Sequence, residues 1–285
     1  MAVASPVEFE FCNELAMPPG SLFEFTSRFL PADRLESLLA LYALIQTIGK
    51  IPHGPLDDAV KWAKLKWWSE ELVADPDAPS RHPALRALCL SGTRKHLNNN
   101  LLLRLLNDAA MQIDVAPDCD ENAMFDRFAG LGGTEIQLEL ALDKVEIDTD
   151  NLSFLAAASR LSQMISSFAA HHQYETGQIP MNVLAKYDVS AAQLEQRLYP
   201  DKLAQILTRL AGYGLDWFSK GMSGLKIYQI TGTKTGPGTH LQLRWAMEIR
   251  RLSVIRKDVV GFLDEGKRHG PADAWFAWRF LRRLK

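Results

Sequence analysis

Residues 21–53 read SLFEFTSRFLPADRLESLLALYALIQTIGKIPH, and the spacing of their apolar side chains decides the fold class. Pro31 punctuates the chain, Asp33 offers an N-cap oxygen, and Glu36 follows three residues later, the pattern of a capping box. Leu35, Leu38, Leu39, Tyr42 and Ile45 then recur at helical spacing, while Leu41, Leu44 and Ile48 fill a second stripe. A helix apolar on most of its circumference belongs at the centre of a bundle. Pro52 closes the stretch, because it has no N–H to donate, clashes with the preceding turn and disfavours helical geometry at Ile51.

Outward from this helix the pattern stays helical. A second helix runs from about Pro55 through Trp62, Leu65, Trp68 and Leu72, and others lie near 83–96, 100–112, 121–142, 151–173, 201–220, 240–265 and 272–285. No segment alternates as a strand does. The breaks DPDAPS (75–80), HLNNN (96–100), APDCD (116–120) and TGTKTGPG (231–238) are too short for interdomain linkers. The expectation is one all-α domain over 1–285, a helical bundle with a central cavity, with 1–20 as an N-terminal extension and 271–285 as a C-terminal amphipathic helix.

The chain has 285 residues, 47% apolar and 23% charged, which suits a folded protein with a sizeable core. Its 32 Lys and Arg against 34 Asp and Glu give a formal net charge of -2, without the basic field of a general nucleic-acid binder. Cys12, Cys89 and Cys119 are far apart and form no CxxC pair, so a reducing compartment fits. Neither a signal peptide nor an apolar run of about 20 residues is visible. A cytoplasmic protein of bacterial type is expected, peripheral at the inner membrane if it meets lipid.

Residues 21–53 also resemble the opening of the squalene/phytoene synthase family: Ser21, the aromatics Phe23 and Phe25, Arg28, Leu30, Pro31, Arg34 and Ala40-Leu41-Tyr42-Ala43 stand in its order and spacing. LKWWSEEL (65–72), RHPALRAL (81–88), FAGLGG (128–133) and IPMNVLAKYDVS (179–190) resemble further segments in the right sequence, with Asp188 where Gly is usual. The resemblance covers about residues 20–190 and implies an isoprenoid-synthase bundle that joins two prenyl diphosphates head to head. It also implies magnesium, held by carboxylates at i and i+4 on two facing helices, here those carrying 35–51 and 151–173.

The sequence departs from that pattern at both places. Counting from Tyr42 puts Gln46 at the family's Arg and Gly49, Lys50 and His53 at its first acids. Counting back from Pro180 puts Gln163, Ser166, Ser167 and His171 at the second motif. No carboxylate remains in either. Three readings stay open: the positions drifted while a prenyl-binding tunnel remained; Lys50, His53, His171 and His172 hold an anionic head group as fixed cations; or His53, His171 and His172 bind zinc or iron, although no carboxylate stands beside them at motif spacing. The candidate cavity positions are Arg28, Arg34, Tyr42, Gln46, Gly49, Lys50, His53, Gln163, Ser167 and His171. Residues like Arg28 and Arg34 are more often solvated or ion-paired than phosphate clamps, and aromatics like Tyr42, Trp62, Trp67 and Trp68 more often core than ligand-binding.

Two further features stand apart. Glu135 and Glu139 share a helix face, a spacing that could hold a cation but is more often a solvated face. In ADAWFAWRFLRRLK, Phe276, Phe280, Leu281 and Leu284 share one face and Arg279, Arg282, Arg283 and Lys285 the other, with Trp275 and Trp278 between. That pattern suits either an interfacial helix or one docked on the bundle. The expected function is a catalytically degenerate relative that binds a prenyl lipid or prenyl diphosphate, or acts as an assembly or scaffold factor with a protein partner, since the resemblance extends to the family's complex I assembly-factor branch. No cofactor is then needed. The alternative is an active prenyltransferase, making squalene, hydroxysqualene or phytoene, with magnesium at a non-standard site.

Overall fold

The computed structural model describes residues 6–74, 80–142, 145, 147–169, 178–196, 198–223, 237–265 and 269–283. Among them every regular element is helical. The chain divides into two compact units, one built from 1–115, 134–146 and 226–242, the other from 116–133, 147–225 and 243–285.

In the first unit α1 (Pro6–Ala16), α2 (Leu22–Ser27), α3 (Ala32–Gly49), α4 (Asp58–Val73), α5 (Pro83–Leu90), a 3₁₀ turn (Thr93–His96) and α6 (Asn99–Ala110) are joined by the end of α7 (Glu121–Ala141) and the start of α12 (Pro237–Lys257). Helix α3 is the centre that its double stripe requires: Leu38, Leu41, Leu44 and Ile48 are fully buried, each contributing about 1.5–3 kcal/mol relative to exposure. It packs against α1, α5 and α6, so residues 6–16 of the N-terminal extension form part of this core through Cys12 and Ala16. The Cys12 thiol is pushed up to about 11 by burial and then by Glu8.

Several sequence expectations change. Helix α3 starts at Ala32 with Pro31 as its N-cap, which places Asp33 inside the helix rather than at its cap. Helix α4 starts at Asp58, after Pro55, because Asp57 is the last extended residue. The stretch 83–96 breaks at Gly92, whose φ of 71° leaves the right-handed region. Trp68 is buried but Trp62, on the same stripe, is 52% exposed. The helix end near Pro52 occurs as expected: Lys50 is the C-cap, and Ile51 donates to the Ile48 carbonyl at 3.1 Å in a tighter turn.

The second unit holds the start of α7, α8 (Thr149–Ala169), α9 (Met181–Lys186), α10 (Ala191–Glu195), α11 (Pro200–Met222), the rest of α12, α13 (Val259–Glu265) and α14 (Pro271–Arg283). Helices α8 and α11 form its main pairing. At Gly132, in FAGLGG, an added Cβ would lie 2.7 Å from the Ala156 carbonyl oxygen, so α7 and α8 meet backbone to backbone. The expected helix over 240–265 is two helices, with the Asp258 carboxylate accepting from Gly261 N–H at 2.9 Å where α13 starts. Asp188, where the family resemblance places Gly, has φ 49°, the left-handed geometry that glycine adopts without strain. His171 and His172 lie outside the described residues. No described helix is long and apolar enough to cross a membrane.

Candidate functional site

In the first unit Tyr42, on α3, meets side chains from α2, α7 and α12. Ser21 caps α2 by accepting from Glu24 N–H at 3.0 Å, which sets Phe23 and Thr26 on the inward side. Phe23 stacks on Tyr42 at 4.2 Å between ring centroids. The Tyr42 hydroxyl donates to Glu139 Oε2 at 2.6 Å, Glu139 Oε1 lies 2.6 Å from His240 Nδ1, and His240 Nε2 lies 2.9 Å from Thr26 Oγ1. Glu139 is 1% exposed and His240 2%. A carboxylate taken this far from water is tolerable only when its lone pairs are filled, and here a phenol and an imidazole fill them. The expectation that Glu139 lies on a solvated face is therefore corrected. Its neighbours Leu138 and Leu140 are buried too, which marks an acid inside an apolar run. Tyr42 is the partly exposed member of the chain Tyr42–Glu139–His240–Thr26.

The other first-unit candidates are not gathered around it. Arg28 is exposed and pairs with Glu24 at 2.7 Å, the solvated arrangement. Arg34 lines a polar pocket of about 220 Å³ with Ser37, Ser91, Thr93, His96 and Leu142. Gln46 and Lys50 are exposed and Gly49 is half-buried at the end of α3. His53, past that end and exposed, sits 3.2 Å from Gln112 Oε1.

In the second unit α8 turns Ser159, Ser162, Ser166 and Ser167 inward, with Ser166 4% and Ser167 5% exposed. Gln163 between them is half-buried. Helix α12 answers with charge. Ser159 Oγ donates to Glu248 Oε2 at 2.7 Å, Arg244 Nε lies 3.5 Å from Glu248 Oε1, and Arg251 Nη1 lies 3.4 Å from Ser166 Oγ. Ser167 Oγ turns back to the Met164 carbonyl at 2.7 Å. A guanidinium only donates, so His269 Nε2 accepts from Arg251 Nη2 at 2.9 Å and Nδ1 faces Asp273 at 3.4 Å. The His269 contact holds the Asp273 carboxyl well below the usual range; burial opposes this and Arg250 Nε, at 2.8 Å, adds to it. Burial lowers the Arg251 value, against the pull of Glu248 and Asp273.

Neither Arg251 nor His240 nor Glu248 stood out in the sequence. The available signal was spacing: His240, Arg244 and Glu248 recur every four residues, on one helix face.

Magnesium takes hard oxygen ligands, chiefly carboxylates. The described positions counted as the two acidic motifs offer amides, hydroxyls, an ammonium and an imidazole, and Arg251 stands beside Ser166. That donor set does not fit the metal. Among the described residues no group of three or more His, Cys, Asp and Glu side chains could hold a metal ion.

Two solved structures share the fold. Squalene synthase HpnC from Alicyclobacillus acidocaldarius matches with a TM-score of 0.64 at 17% identity, over 90% of this chain and 97% of its own. A dehydrosqualene synthase, in complex with ligand, matches with a TM-score of 0.67 at 13% identity, over 98% of this chain and 95% of its own. No curated protein matches the chain. The family model described as squalene/phytoene synthase matches residues 19–251, from the Ser21 cap through Tyr42, Glu139 and His240 to Arg251, and the chain belongs to that family.

Proposed function

We propose that this protein is a catalytically silent member of the family, which holds a prenyl lipid or prenyl diphosphate without magnesium and serves as a binder or scaffold. The observation that carries the reading is the buried serine pair Ser166 and Ser167 on α8 with Arg251 at 3.4 Å from Ser166. A fixed guanidinium opposes a divalent cation at that position by like charge, and it complements a diphosphate or other anionic head group directly. Serine hydroxyls add donors without adding negative charge. The second form of this reading is an assembly role beside a respiratory complex, with a protein as the partner.

The test combines turnover with binding. With farnesyl or geranylgeranyl diphosphate and magnesium, the purified chain should form no head-to-head product. Farnesyl diphosphate should bind equally well with magnesium and with a chelator, and Arg251→Gln should weaken that binding about tenfold or more, the loss expected for a charge-assisted contact of at least about 1.5 kcal/mol. Turnover that a chelator abolishes would overturn the reading in favour of an active prenyltransferase.

A further inference from the structure

The last described helix, α14, meets the second unit by one face and leaves the other to solvent. Asp273 turns inward to the Arg250 guanidinium at 2.8 Å, and the same guanidinium lies 5.2 Å from the Phe276 ring centroid. Ala277 is fully buried, while Phe276 and Phe280 are half-buried with their rings 6.4 Å apart. The apolar face that the sequence offered to lipid is therefore already occupied in large part by protein.

The opposite face has a different character. Trp275 is 57% and Trp278 50% exposed, and each has an arginine over it: Arg279 at 5.1 Å from the Trp275 ring and Arg282 at 4.7 Å from the Trp278 ring. Arg283 is exposed as well. The one carboxylate of the helix, Asp273, is held inward by Arg250 and His269. Three arginines and two large aromatic rings thus share a surface to which the helix itself adds no negative charge, in a chain whose formal net charge is -2.

We propose that the Trp275, Trp278, Arg279, Arg282 and Arg283 face docks on an anionic lipid surface. Indole rings are amphipathic and settle at the depth of lipid head groups, and guanidinium groups pair with phosphate in a planar, two-pronged way. Arginines stacked on the indoles bring both interactions to the same depth. The mode is shallow: the rings enter the head-group layer while Phe276, Ala277 and Phe280 keep the helix on its unit. An acidic protein surface would be met by the arginines as well, but it gives two half-exposed indoles no apolar layer to enter. Docking of this kind is reversible and weakens with salt without vanishing, since screening acts on the charges and not on the rings. The inference rests on α14 alone and holds whether or not the bundle binds a prenyl chain.

The experiment is sedimentation of the full chain with vesicles of equal phosphatidylglycerol and phosphatidylcholine, against phosphatidylcholine alone. Binding should favour the anionic vesicles and fall as salt rises. Replacing Arg279, Arg282 and Arg283 together by Gln should lower the partition coefficient by roughly two orders of magnitude, from about fivefold per basic residue near an anionic surface. Trp275→Ala with Trp278→Ala should leave a weaker interaction that high salt removes. These side chains are exposed, so circular dichroism should report unchanged folding; if the tryptophan pair unfolds the chain, the arginine triple still decides. Equal partition to both vesicle types, or anionic binding unchanged by the arginine triple, overturns the proposal. So does a complete lack of vesicle binding, whatever acidic protein the same face captures.

Discussion

The two units answer the same physical demand, a charged group in the interior, in opposite ways. Around Glu139 the contacts from Tyr42 and His240 are both 2.6 Å, and they come from helices far apart in sequence. Around α8 the contacts are mixed: Arg251 lies 3.4 Å from Ser166 but 2.9 Å from His269, and Glu248, 3.5 Å from Arg244, accepts from Ser159 at 2.7 Å. Short, closed contacts hold structure. The 3.4 Å contact from Arg251 to the Ser166 hydroxyl is the loose one and can yield to an arriving anion, which is why the binding proposal is placed there.

The sharpest way to break this contrast is at Glu139. Glu139→Ala strands the imidazole and the phenol inside the first unit and should cost about 3–5 kcal/mol, read by urea denaturation. Replacing the group together, with Tyr42→Phe, Glu139→Leu and His240→Phe, should cost less than the single change, because no buried charge is left without its partner. A single-variant loss under 1 kcal/mol would mean that the network is slack after all and that the contrast fails.

A smaller effect sharpens the second unit. Gly132→Ala pushes a methyl against the Ala156 backbone oxygen, 2.7 Å away, and should destabilise by about 1–3 kcal/mol through separation of α7 and α8. Gly130 and Gly133 have nothing within 4 Å of an added Cβ, so alanine there should be neutral or stabilising by up to about 1 kcal/mol. Equal behaviour of all three in thermal melts would remove the close approach as an explanation of FAGLGG.

The smallest effect concerns acid. Burial alone would raise the Glu121 carboxyl, but hydrogen bonds from Asn182, Arg209 and Tyr213 hold it down to about 2 from 4.5. A group lowered in the folded state contributes stability that is present above its unfolded value and is lost as the pH falls through its folded value. Stability should therefore decline between pH 4.5 and about 2, and Glu121→Gln should flatten that decline in denaturation series taken across the window.

Much of the fold was legible because helical periodicity is a local property: the double stripe of α3 and the Pro52 stop are both written within twenty or so residues. Trp62 shows the limit. It shares a stripe with Leu65 and Trp68, yet only the later positions are covered, and nothing in a single helix states how far its neighbour reaches. The buried polar clusters were not legible in the sequence. Glu139 and His240 are 101 residues apart, and a polar residue on an amphipathic helix reads as solvated unless its partner is known. Asp33 misled for a local reason: Pro31, rather than an Asp oxygen, opens α3.

The early end of α3 has a consequence for metal binding. On the count that sets Gly49, Lys50 and His53 at the first acidic motif, an acid placed at 53 would not share the helix face of 49, because the helix stops at Gly49 and the chain turns through Ile51 and the buried Pro52. An acid at 53 alone is therefore expected to confer no magnesium affinity. On the proposed reading as a silent binder, metal affinity at this end of α3 would require a change of backbone at 50–53 before any change of side chain could matter.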